Sequence, residues 1–163
     1  MVVFIQYIRA NHQNQIIMEL AIKHIHSYWA YLVLIVAIVA TVNFIISSIS
    51  KKEYQPKDFR LALLTLIATH LQFVFGIILY FVSSKIQWFN DDISVKDIMK
   101  NSELRLYHIE HPTVMLFAVV LITIGYSKHK KQLVSAPKLK MLSIFYSLAL
   151  LLLLSRIPWQ AWF

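Results

Sequence analysis

Four stretches of this chain are each long and apolar enough to cross a bilayer core, which takes about 20 residues of helix. They are Tyr28–Ile49, Leu61–Val82, roughly Tyr107–Tyr126 and Met141–Ile157. No other feature constrains the fold as much. Backbone inside a bilayer has no water to bond, so such runs are helical even where Val and Ile dominate. Strands of a transmembrane barrel would be about half as long and would alternate. None of the four has the small-residue cleavage site of a signal peptide. The predicted fold class is therefore all-α, a polytopic membrane protein built as an antiparallel four-helix transmembrane bundle. Spans are expected at about 26–49, 59–83, 103–127 and 140–157, within one membrane domain covering 25–163. Residues 1–24 are expected to form an N-terminal extension or interfacial segment. A start codon placed too early would give the same kind of extension.

Composition removes several classes. Hydrophobic residues make up 58% of the chain, glycine occurs only twice and cysteine not at all, and mean hydropathy is +0.61. Without cysteine there is no disulfide framework, thiolate zinc site, iron–sulfur ligation or thioether haem attachment. In so apolar a chain the +8 net charge reads as loop charge that orients the protein, and no nucleic-acid partner is expected. The loops around 51–60 and 127–140 carry nine Lys and Arg against two acids, the remainder seven against six. By the positive-inside rule, loops 51–58 and 128–139 are cytoplasmic and both termini periplasmic, in a bacterial inner membrane.

The chemistry concentrates in Arg105-Leu-Tyr-His108-Ile-Glu110-His111-Pro112, which runs directly into the third span. Ionisable groups at a membrane boundary are costly to hold. His26 opens the first span, and His70 falls near the middle of the second. Three histidines on three helices can converge, which is how metal and haem sites are built inside bundles. A haem needs a flat slot, which Ala30, Ala37, Gly76, Ala118 and Phe73 can line. Arg105 and Arg156 can pair with its propionates. Copper is the alternative, on His26, His70 and His111 with Met115 one turn below His111. Zinc on the same three histidines would have only Glu110 beside it as a base.

Spacing leaves the axial pair open. His26 and His111 agree in depth, whereas His70 lies roughly 10 Å deeper at 1.5 Å per residue. Each residue also has a structural alternative. His70 and His111 can hydrogen-bond across the bundle, His26 can be an ordinary solvated histidine at the interface, and the two arginines can snorkel to headgroups. His24 and His108 read as boundary residues, His12 and His129 as loop residues. Asp58 reads as the N-cap of the second helix. Its face is expected to run through His70, Phe73, Gly76 or Ile77, and Tyr80. The third helix is expected to start near Ser102 and to kink at Pro112. Before it, Ile86–Phe89 is expected in the interface and Val95–Met99 as a surface turn of helix.

Several segments together carry a resemblance. They are His26-Ser-Tyr-Trp, His70-Leu-Gln-Phe-Val-Phe-Gly76-Ile-Ile-Leu-Tyr80, Arg105 through Met115, Leu121-Ile-Thr-Ile-Gly125-Tyr-Ser-Lys128 and Arg156-Ile-Pro158-Trp159. Over residues 24–163 the chain resembles a family of small four-helix, cytochrome b-like membrane proteins of Bacteroidota. The Gln72-x-x-x-Gly76 element also resembles haem A synthase bundles. The family resemblance implies His26, His70, Arg105, Glu110, His111 and Trp159 as motif positions, and residues 1–23 fall outside it. The expected function is a cytochrome b-like electron carrier that binds haem b through histidines on separate helices. It would act in or beside a respiratory membrane complex, or as a homo-oligomer in the lipid bilayer. A non-redox accessory subunit and a copper- or haem-handling membrane protein are the competing expectations.

Overall fold

The computed structural model describes residues 1–86, 88 and 93–162. Its elements in order are α1 (Val2–Ile49), α2 (Pro56–Val82), short helices α3 (Val95–Lys100) and α4 (Ser102–Arg105), and a π-helical turn at Leu106–Glu110. Then come α5 (His111–Lys130), α6 (Ser135–Ser155) and a 3-10 turn at Trp159–Ala161. Four helices are long and apolar enough to cross a membrane: Arg9–Ile49, Pro56–Val82, Ser102–Lys130 and Ser135–Ser155. The protein is a four-helix membrane bundle, with no strand among the described residues. Each long helix packs on two neighbours: α1 on α2 and α6, and α5 on α6 and α2. This ring leaves α1 and α5 facing each other along one diagonal.

The buried residues explain the packing. On α1 the inward stripe is His26, Ala30, Val33, Ala37, Ala40, Phe44 and Ser47, alternating steps of four and three, with Val33 through Ser47 buried. On α2 it is Ala62, Thr65, Thr69, Gln72 and Gly76, on α6 Leu139, Leu142, Tyr146, Ala149 and Leu153. On α5 it is His111, Met115, Ala118, Ile122, Gly125 and His129. A three-four alternation is the seam of a left-handed bundle. Lipid tails are as apolar as leucine, so burial goes to small residues that let backbones approach. A Cβ on Gly125 would lie 2.6 Å from the Phe145 Cβ. Phe44 packs edge-on against Tyr146, whose hydroxyl donates to the Ala62 carbonyl at 2.9 Å.

The N-terminal extension is helical: residues 2–24 continue α1 without a break, giving a 48-residue helix of about 72 Å. No glycine or proline precedes Pro56, and the polar run Asn11–Asn14 does not by itself stop a helix. The extension is tied down at Glu19, which accepts from Ser83 Oγ at 3.0 Å, Ser84 N at 3.0 Å and Ser84 Oγ at 3.1 Å. The N-cap of α2 is Gln55, not Asp58. Asp58 sits at the third helical position and closes a capping box by accepting from Gln55 N at 2.8 Å, with Pro56 at the start. Asn43 Nδ2 donates to its other oxygen at 2.8 Å.

The third span does start at Ser102, as expected. In place of a simple proline kink it widens into the π turn, where His111 N–H reaches back five residues to Leu106 O. Pro112 has no N–H for the His108 carbonyl, four residues earlier. The Tyr80 hydroxyl takes that place at 2.9 Å and accepts in turn from Trp88 Nε1. Val95–Lys100 is helical, with Ile98 buried. Of the segment expected in the interface, Trp88 is half-buried against His108. Phe89 lies outside the described residues, as do Asp91 and Asp92 of the same loop.

Candidate functional site

The inward stripes of α1 and α5 end in histidines at the same end of the bundle. His26 and His111 therefore meet across the diagonal, with ring centres 6.3 Å apart and ring planes at 81°. His111 is fixed by the chain beyond α6. Its Nδ1 lies 2.7 Å from the Arg156 carbonyl, and a carbonyl only accepts, so Nδ1 carries the proton. A neutral His111 then holds its lone pair on Nε2. His26 packs directly on α2, where a Cβ at Gly76 would lie 3.1 Å from its Cε1. Gln72 Nε2 donates to the His26 carbonyl at 3.0 Å and stands 3.2 and 3.3 Å from the two ring nitrogens. Gln72 Oε1 is buried beside this pair with no partner among the described residues. A buried acceptor left unmet is costly, which marks this corner as polar and incomplete.

Above the pair lies a charged triad. Arg105 Nε donates to Glu110 Oε1 at 2.7 Å, and Arg156 Nε stands 3.2 Å from Glu110 Oε2. Arg105 Nη1 also holds the Met99 carbonyl at 2.7 Å, and Arg156 Nη1 the Ser155 carbonyl at 3.0 Å. The two arginines assigned to propionates thus clamp one carboxylate, which pins the chain after α6 over the bundle end. Trp159 does not line the imidazole pair. It packs on Trp162, which packs on Tyr31 of α1, and its indole N–H donates to the Leu154 carbonyl at 3.3 Å.

His70 is the main correction. The three-histidine set His26, His70 and His111 does not assemble, and no group of three His, Asp or Glu among the described residues could hold a metal ion. His70 follows the stripe position Thr69, so its side chain is turned about 100° away from the interior. It is exposed at the seam of α2 and α5, near Thr123. The face expected through His70, Phe73 and Tyr80 is not the buried one, because small residues occupy the inside. The flat slot is closed below the imidazoles, where Ala37 and Ala118 are packed into the core and Gly76 lies against His26.

Two histidines expected at the boundary or in a loop are interior. His108 is 2% exposed, its Nδ1 2.7 Å from the Leu104 carbonyl. His129 is 1% exposed in the last turn of α5, with the Tyr54 hydroxyl 3.0 Å from Nε2 and the rings of Phe59 and Tyr126 around it. The four-three register from His111 to His129 is visible in the sequence and would have placed His129 inside, whereas His108 lies in the π turn that precedes α5. His24 stays at the surface, stacked on Tyr28. No protein-family model, curated protein or solved structure matches the chain.

Proposed function

We propose that the protein is a cytochrome b-like electron carrier of a bacterial inner membrane. His26 and His111 are the residues that would hold haem b through their ring nitrogens. The observation that carries this reading is the 6.3 Å separation of the two ring centres across the bundle diagonal. A metal bonded to two opposed imidazoles at about 2 Å would hold the ring centres roughly 6 Å apart. Haem supplies one-electron chemistry when bound. The chain supplies the tautomer through the Arg156 carbonyl on His111 Nδ1, an outer hydrogen bond of the kind that orients a ligating ring and raises its basicity. Gln72 and Gly76 position His26, and the Arg105–Glu110–Arg156 triad closes the site towards water. In this reading His70, Trp159 and the two arginines are not direct ligands. The lysine-rich loops face the cytoplasm and both termini the periplasm. The physiological partner is a respiratory membrane complex or a second copy of the chain.

The test is a reduced-minus-oxidised spectrum with metal content measured on the same purified sample. A haem spectrum that is lost in His26→Ala and His111→Ala but kept in His70→Ala supports the reading. Stoichiometric copper without iron would shift the pair to copper handling. A colourless, metal-free protein that co-purifies with a stoichiometric membrane partner favours a non-redox accessory subunit. The packed Ala37 and Ala118 and the engaged arginines favour that second reading.

A further inference from the structure

Charge is arranged differently at the two mouths of the bundle. At the mouth that carries the imidazole pair, cations meet carboxylates: Arg105 and Arg156 hold Glu110, and Lys85 Nζ lies 3.8 Å from Glu103. At the other mouth, loops 51–60 and 127–140 carry nine Lys and Arg, and none of them forms an ion pair among the described residues. Of the two acids there, Asp58 is buried and bonded to Asn43 and Gln55, which leaves Glu53. Three of the lysines rest instead on aromatic rings. Lys128 Nζ stands 5.4 Å from the Phe145 ring centre, Lys130 Nζ 5.4 Å from that of Tyr126 and Lys138 Nζ 4.9 Å from that of Tyr54. Lysines at a helix end ordinarily stretch away from hydrocarbon. Lys128 and Lys130 do the reverse. Tyr126 is four residues back along α5, about 6 Å deeper than Lys130. Phe145 is level with Gly125, where an added Cβ would meet it at 2.6 Å, about 4.5 Å deeper than Lys128. The helix itself is the cause. Its side chains lean towards the N-terminus, so at the C-terminal end of α5 they fold back towards the membrane.

We propose that this rim binds anionic phospholipids of the adjoining leaflet, with Lys128 and Lys130 holding headgroup phosphate. The two ammoniums are turned back to headgroup level, and a phosphate supplies the negative charge and acceptor oxygens that the chain does not provide there. Two residues apart, Lys128 and Lys130 leave nearly opposite sides of α5, and the remaining cations stand at the ends of α1, α2 and α6. Such a ring matches a sheet of headgroups on every side, whereas an acidic protein docked on the mouth would cover one face. Below the ring, Ile144, Leu148 and Leu151 on α6 and Phe117 and Val120 on α5 are exposed, an apolar surface for the acyl chains of the same lipids. Loop charge that served only to orient the chain would show no headgroup preference once the bundle is assembled. Binding here is independent of any metal at His26 and His111, which lie at the opposite mouth.

The experiment uses the full chain in mild detergent, titrated with phosphatidylglycerol, with phosphatidylcholine of the same acyl chains, and with inorganic phosphate. Lipid retained per chain is read by native mass spectrometry, and melting temperature is followed on the same samples. Phosphatidylglycerol is expected to bind at least about fivefold more tightly than phosphatidylcholine, the effect of one lysine near an anionic surface. Raised salt should erase the difference. Lys128→Gln combined with Lys130→Gln should lose the preference, and Lys128→Arg combined with Lys130→Arg should keep it. Lys23→Gln, at the opposite mouth, should leave it unchanged. If the double Gln variant does not fold, the two single Gln variants decide, each lowering the preference. Equal binding of the two lipids, or a preference untouched by the Gln variants, overturns the proposal. So does inorganic phosphate that displaces the lipid, which would make this a soluble-anion site, or an acidic protein that co-purifies stoichiometrically and blocks lipid binding.

Discussion

The two ends of α5 carry the same residue in the same register. His111 opens the inward stripe and His129 closes it. Opposite His129 stands a phenol: Tyr54 lies 3.0 Å from Nε2, with Lys138 over the Tyr54 ring and Lys130 over Tyr126. Opposite His111 stands a second imidazole. The Tyr54 phenol and His129 Nε2 pair directly with each other, although His129 Nδ1 is buried with no hydrogen-bond partner among the described residues. Two imidazoles, one already held by a backbone carbonyl, keep a lone pair available. The group across the bundle, rather than the histidine itself, separates a structural contact from a candidate ligand pair.

The sharpest way to break this contrast is to truncate each histidine. Under the proposed haem reading, His111→Ala should abolish the haem spectrum. His129→Ala should leave the spectrum intact and destabilise the bundle by about 2–3 kcal/mol, since it opens a cavity and strands the Tyr54 hydroxyl. Denaturation in mixed micelles measures the second effect. The glycines give the next largest difference. Gly125→Ala, with a backbone-fixed Cβ contact at 2.6 Å, should cost about 1–3 kcal/mol by overpacking. Gly76→Ala meets only the His26 ring at 3.1 Å, so it should cost less and appear mainly as a shifted spectrum.

Tyr54 sharpens the His129 corner. Burial, then the nearby Asp58 carboxylate and Tyr126, push its phenol up to about 12. Its phenolate absorbance should emerge near that pH, and Tyr54→Phe should remove the step. The neutral phenol is the form the fold prefers. Its contribution is thus complete below an ordinary tyrosine pKa of about 10 and is lost as pH rises towards the folded value. Melting temperature followed through that alkaline window checks the sign. The smallest effect is expected for Glu110→Gln, whose ion pairs are partly solvated and worth little. Stability should stay within error, while amide exchange quickens in the segment after Ser155 that the triad pins.

Much of the fold was legible because apolar run length is a one-dimensional property. The four spans, the start at Ser102 and the α1 stripe of Val33, Ala37, Ala40 and Phe44 follow from it. The site was half legible. His26 and His111 were expected at matching depth and do meet. His70 was expected to join them because a mid-span histidine suggests an interior one. Which way α2 turns is not written in apolarity, since almost every residue there is apolar. It is written in side-chain size, through Ala62, Thr65, Thr69 and Gly76, and that signal places His70 one step outside. His129 was misread for a related reason: lysines on either side suggest a loop, although the register from His111 points inward.

The sequence by itself determined that this chain has four spans of membrane length, that no thiolate is present to act as a ligand, and that its short basic loops, 51–60 and 127–140, lie at one end. Those facts need only composition and spacing. Only the tertiary structure decided which imidazoles face each other, that Glu110 holds both arginines, and that Tyr80 supplies the hydrogen bond Pro112 cannot. Each of these depends on the rotation of one helix against another. Close approach of small residues sets that rotation, and no single segment contains both sides of the contact.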